Sequence, residues 1–117
     1  MMSPVATFDI NILRGINAEV SLAWSDASGN AVNITNFEAY MDFRNEYTKE
    51  LLFDGTDYIF TNSDPTHGVI IISIPSDVTS TMDFEKCGFD ILMKNGSNVY
   101  QIAKGKVYVK DTLTQIP

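Results

Sequence analysis

The chain has 117 residues, room for one domain on a prior of roughly 100–200 residues each. Hydrophobic residues make up 44% and charged residues 20%, which excludes a disordered chain, and folding at this length buries about two thirds of the unfolded surface, enough for a core without disulfides. Fifteen acids against eight bases leave a net charge of −7, a balance that repels a nucleic-acid backbone.

The dominant hydrophobic period is two, which reads as strands with one apolar face. Phe8, Ile10 and Ile12 alternate with Asp9 and Asn11. Across residues 18–25, Val20, Leu22 and Trp24 alternate with Glu19, Ser21, Ala23 and Ser25. The run Asp26-Ala27-Ser28-Gly29-Asn30 then offers an Asx turn and a glycine for positive φ. Phe37, Ala39, Met41 and Phe43 form the next apolar face, against Glu38, Tyr40, Asp42 and Arg44. A shorter strand is predicted over 57–62 and another over 68–74. Pro75 stops the latter, and Ser76 is placed to cap one short helical turn near residues 76–82. Phe89, Ile91 and Met93 alternate with Asp90 and Lys94 before Asn95-Gly96, a tight-hairpin signal. The last strand runs from Val99 to Lys110, with Val107 and Val109 against Lys106 and Lys110, and Gly105 within it marks a bulge or bend.

No window sustains a helical period over ten residues. About seven short strands at this spacing predict an all-β, two-sheet antiparallel β-sandwich, with a small barrel as the alternative. The Val20/Leu22/Trp24 and Phe37/Met41/Phe43 faces are expected to pack together with Trp24 central. One domain spans 1–117, and its ends, 1–5 and 111–117, carry no apolar period and read as tails.

Few residues point to chemistry. No apolar run approaches the ~20 residues of a membrane span, and the N-terminus lacks the basic start and greasy stretch of a signal peptide, so no membrane is expected as a partner. His67, the sole histidine, sits among turn formers with Asp64 the nearest acid, and reads as a loop residue. Cys87, the only cysteine, has no neighbouring base to activate it and reads as a small buried hydrophobe. Asp54-Gly55-Thr56-Asp57 and Asn62-Ser63-Asp64 gather oxygen donors but lack calcium-loop spacing. The strand acids Asp9, Glu19, Glu38, Asp42 and Asp90 fall in polar registers, with no long loop to build a cleft for paired carboxylates. No glycine loop is spaced to cradle phosphates. Lys104, Lys106 and Lys110 form a basic stripe that reads as guarding a sheet edge. The expectation is a chain without catalytic residues, metal, cofactor or nucleic-acid partner.

Two features exceed an ordinary sandwich. The run Val69-Ile70-Ile71-Ile72-Ser73-Ile74 is apolar on both faces, and with Ile70, Ile72 and Ile74 inward it leaves Val69 and Ile71 outward. Tyr40, Leu92, Tyr100 and Tyr108 also fall in or near outward registers. Clustered, these six would mark a subunit interface, since tyrosine is enriched in contact surfaces. A tyrosine-lined carbohydrate platform has the same signature.

In order along the chain, the motifs resemble a small immunoglobulin-like domain of tailed-bacteriophage virion proteins, as at the N-terminus of upper baseplate proteins and in small tail or collar proteins. The family's extended strand with an Arg-Gly pair is similar to Ile12-Leu13-Arg14-Gly15. Its amphipathic strand, Asp-x-x-Gly turn and Asn-hydrophobic-Thr sequel resemble residues 20–24, Asp26-Ala27-Ser28-Gly29 and Asn33-Ile34-Thr35. A strand ending in Arg looks like Met41-Asp42-Phe43-Arg44, and an Ile-rich strand closing on Pro, then a turn with Thr, looks like residues 70–75 and Thr79. Phe89-Asp90-Ile91 stands for a Tyr-Asp-hydrophobic signature, and Gly105-Lys106-Val107-Tyr108-Val109 with Thr112-Leu113-Thr114 for a Gly-x-Val-x-Val run and Thr-containing tail. The pattern departs at Ile16-Asn17, where a polar pair is usual. The resemblance implies an immunoglobulin-like sandwich and a non-enzymatic building block of the virion, assembled in the host cytoplasm. It would be a stand-alone ring, collar or adaptor component, joined to copies of itself and to tail or baseplate proteins through Val69, Ile71, the tails and sheet edges. Carbohydrate binding to the host surface is the alternative role.

Overall fold

Alternation in the sequence becomes two inner faces in space. The computed structural model describes residues 5–61 and 65–114. Among them the strands are β1 (Ala6–Thr7), β2 (Ile10–Leu13), β3 (Ala18–Ala23), β4 (Glu38–Arg44), β5 (Leu51–Asp54), β6 (Ile59–Thr61), β7 (Val69–Ile74), β8 (Lys86–Asn95) and β9 (Asn98–Lys110). A single helical turn, α1 (Ser76–Thr79), follows β7. One sheet has the order β1-β9-β8-β4-β5, with β2 also on β9, and the other has the order β3-β7-β6. Met41 and Phe43 of β4, Ile91 and Met93 of β8, and Val107 and Val109 of β9 are buried, as are Ile70, Ile72 and Ile74 of β7 in the facing sheet. Each comes from the inward register of its strand, as the period of two requires.

The strand order is that of an immunoglobulin-like sandwich: β3, β7 and β6 take the places of B, E and D, and β4, β8 and β9 those of C, F and G, with β5 added beside β4. The pairing is not antiparallel throughout. β1 and β2 both lie parallel to β9, with Ala6 opposite Ala103 and Ile10 opposite Val107. Gly105 makes this docking feasible. A β-carbon built there would lie 1.7 Å from the Phe8 carbonyl oxygen, so the segment between β1 and β2 fills the space a side chain would take. The bulge itself is three residues earlier: Ile91 faces Ala103 while Leu92 faces Gln101, leaving Ile102 extra on β9.

Several local expectations shift by a residue or two. The β8–β9 turn is centred on Gly96-Ser97 rather than Asn95-Gly96, because Asn95 pairs with Asn98; Gly96 has φ of 61°. That places positive φ on the first central residue, as a type II′ hairpin demands. Ser76 does not cap α1 with its side chain; instead Asn17 Oδ1 accepts the Ser76 N–H at 2.8 Å. β5 has no alternation in Leu51-Leu52-Phe53-Asp54 and was not predicted. Trp24 lies at one end of the sandwich rather than at its centre, beside Phe37 (5.5 Å, edge-on) and Tyr100 (5.6 Å). The middle is held by Phe43, fully buried and in ring contact with Phe53, Phe84 and Phe89.

The Arg-Gly pair has a structural task. Arg14 leaves the end of β2 and donates from Nε to the Met82 carbonyl (2.7 Å) and from Nη2 to the Phe84 carbonyl (2.9 Å). Its Nη1 pairs with Asp111 at 2.9 Å. Gly15 turns the chain with φ of 79° and donates its N–H to the hydroxyl of buried Thr79, which in turn reaches the Ile16 carbonyl at 2.9 Å. Carbonyls left without sheet partners in the α1–β8 connection are thereby satisfied by one charged fork.

Candidate functional site

The two outer faces of the sandwich differ in chemistry. On the three-stranded sheet, Ile71 stands outward on the central strand between Phe60 of β6 and Ser21 of β3, and Val69 stands beside Ala23. Phe60 retains 49% of its surface in solvent, and Val69 and Ile71 are half-buried. Two of the six candidate residues therefore lie together, on the face expected of them. Phe60 and Ala23 join them, and sequence reasoning missed both. The signal for Phe60 was its alternation with inward Ile59, legible only once β6 is known to lie against β7.

On the six-stranded sheet the outer rows read Tyr40–Leu92–Gln101, Asp42–Asp90–Lys104 and Arg44–Gly88–Lys106 across β4, β8 and β9. The missing side chain of Gly88 leaves a shallow depression of about 540 Å³, walled by Asp42, Arg44, Glu46, Asp90, Lys104 and Lys106. Asp42 accepts from Arg44 Nε (3.0 Å) and Nη2 (2.9 Å), and Asp90 accepts from Gln101 Nε2 (3.2 Å). Lys104 and Lys106 make no ion pair among the described residues. They do not guard an edge, which corrects the sequence expectation. β9 is interior, flanked by β8 on one side and by β1 and β2 on the other, so its lysines stand on an open sheet face.

The tyrosines do not form a platform. Tyr40 is exposed, and its hydroxyl donates to the Glu38 carboxylate, which holds the phenolic proton and raises its pKa. Tyr108 lies six strand positions away by the β8 register, about 20 Å, with Lys86 Nζ 5.8 Å from its ring centroid. Tyr100 turns inward, opposite buried Met93, and its ring covers Trp24 and Phe37. The extra residue Ile102 causes this. A bulge changes the parity of alternation, so Tyr100 and Tyr108 point to opposite faces although eight residues separate them.

The remaining polar candidates are local structure. Asp54 accepts the Thr56 N–H at 3.0 Å in an Asx turn, and this bond, then the Thr56 hydroxyl and the charge of Arg44, hold its carboxyl below the ordinary range. Asn62, Ser63 and Asp64 lie outside the described residues, and His67 is exposed at the end of the 3-10 turn Pro65–His67. Among the described residues no three His, Cys, Asp or Glu side chains gather as a metal site, and no helix is long and apolar enough to cross a membrane.

Cys87 lies inward on β8, 1% exposed, and burial first, then the Glu46 charge, pushes its thiol up to about 12. A thiol-specific reagent at pH 8 is therefore expected to leave the native protein unlabelled and to modify one thiol per chain after denaturation. The folded pKa is the higher one, so the thiol's share of stability is full below its ordinary 9.0 and falls as pH rises towards 12. Rapid labelling of native protein at pH 8 would contradict this burial.

No family model and no curated protein matches the chain. Among solved structures, one named Tim-1 aligns with 96% of this chain and 97% of its own at 8% identity and a TM-score of 0.43. The chain's own sheet order and register thus carry the assignment of an immunoglobulin-like sandwich.

Proposed function

We propose that the chain is a non-catalytic protein–protein assembly module, and that it serves as a structural component of a tailed-bacteriophage particle, in the tail, baseplate or collar. The assembly role rests on one observation: an already closed sandwich exposes a contiguous apolar row, Phe60 and Ile71 with Val69 and Ala23, on the outer face of its smaller sheet. Isolated exposed hydrophobes need no explanation, but a patch to which three adjacent strands contribute fits a contact surface. The placement in a virion rests on the ordered sequence resemblance.

The test is chemical cross-linking of purified particles. Lysine-to-lysine links from Lys94, Lys104 or Lys106 to tail or baseplate proteins are the expected result. Absence of the chain from purified particles would overturn the virion assignment. Carbohydrate recognition is the weaker reading, since Tyr40, Tyr100 and Tyr108 present no common surface.

A further inference from the structure

We infer that the two outer faces are complementary to one another, so that the three-stranded face of one copy docks on the six-stranded face of the next, head to tail. This rests on the assembly reading above and names the partner as a second copy of this chain. The argument comes from where the charges fall. Residues 15–43 and 51–85 contain no lysine or arginine at all. These segments supply all of β3, β6 and β7, so the sheet that carries the apolar row has no base of its own, while exposed acids stand on it and beside it: Glu19 on the face itself, and Asp57 and Asp77 in the adjoining turns. The bases are gathered on the opposite side of the molecule. Arg44, Lys86, Lys94, Lys104 and Lys106 project from β4, β8 and β9, interleaved with Tyr40 and Leu92; the same outward registers carry Glu38, Asp42 and Asp90, of which Asp42 is paired with Arg44, so five bases there face three acids.

Pairing like faces would bring Glu19 and its neighbours against their own copies, in a molecule that already carries −7. Stacking front to back instead sets an acid-rimmed apolar row against lysines with aliphatic stems, Leu92 and a half-exposed tyrosine. Such a contact is heterologous: every open assembly keeps one free face of each kind at its two ends, and association continues until a ring closes. The apolar row is narrow compared with the roughly 800 Å² per partner of a stable interface, so the single contact is weak and shows as concentration-dependent self-association.

Light scattering on the purified full chain tests this with one variant per face. The first is Phe60→Asp, on a short edge strand, with Ile71→Thr as the milder replacement should it fail to fold. The second is the double variant Lys104→Glu/Lys106→Glu. Wild type is expected to at least double its average mass above the 13.0 kDa monomer as concentration rises. Each variant alone is expected to remain monomeric, and an equimolar mixture to form a complex of two chains and nothing larger, because each variant retains the face the other lacks. A wild type that stays monomeric, a lysine variant that associates as wild type does, or a mixture that stays monomeric would each overturn head-to-tail docking. None of these removes cross-links to other particle proteins, so failure here is distinct from failure of the assembly reading.

Discussion

Gly105→Ala is expected to lower stability by about 4 kcal/mol, or the melting temperature by about 15 °C, the largest effect of any small substitution in the chain. The added β-carbon would sit 1.7 Å from the Phe8 carbonyl oxygen and 3.1 Å from Phe89 Cε1, and the first of these neighbours is backbone. No rotamer change relieves the overlap, so β1 must leave β9 and give up the pairing of Ala6 and Thr7 with Ala103 and Lys104. Gly88→Ala is the built-in control. Its β-carbon has one tight neighbour, Glu46 Cγ at 3.0 Å, the flexible stem of a side chain that can swing aside, and the Arg44 carbonyl oxygen lies at an ordinary contact distance of 3.8 Å. That variant is expected within about 1 kcal/mol of wild type, partly offset by the lower entropy of its unfolded chain. Denaturant unfolding followed by Trp24 fluorescence measures both. Equal effects at the two glycines would show that the Phe8 crossing is not what demands Gly105.

Arg14→Met is expected to cost about 3 kcal/mol, through carbonyls rather than through its ion pair. The methionine keeps the apolar stem but strands the Met82 and Phe84 carbonyls, which now accept charged donors at 2.7 and 2.9 Å. Asp111 is 78% exposed, so water and salt screen its attraction, and Asp111→Asn is expected to cost under about 0.5 kcal/mol. Thr79→Val removes the neighbouring hydroxyl and is expected to cost about 2 kcal/mol by leaving the Gly15 N–H and Ile16 carbonyl without their partner. Thermal unfolding of the three variants measures the ranking Arg14, Thr79, Asp111. An Asp111 effect as large as that of Arg14 would place the clamp's strength in the surface ion pair instead.

These two sites give physical content to motifs that the sequence shows only as a resemblance. The Arg-Gly pair at 14–15 anchors the loop leaving α1, and Gly105 admits the first strand. Both roles serve the fold. The surface proposed for assembly uses none of these residues, so folding variants and docking variants are separable.

Strand positions, inward registers and the turn at 26–30 were legible in the sequence because they depend on neighbours one to four residues away. Alternation sets which side chains share a face, and Asp26 Oδ1 binds the Ser28 and Asn30 N–H groups as its spacing suggests. Tertiary structure alone decided which strand lies beside which. Only parallel docking of β1 and β2 shows that β9 is interior, that Gly105 faces a carbonyl, and that Lys104 and Lys106 stand on an open face. Only the extra residue at Ile102 turns Tyr100 onto Trp24, because one insertion reverses the facing of everything before it while leaving the composition unchanged. The gathering of bases on one sheet and of acids around the apolar row of the other likewise joins segments far apart along the chain, and the pairing that brings them together is a property of the folded backbone.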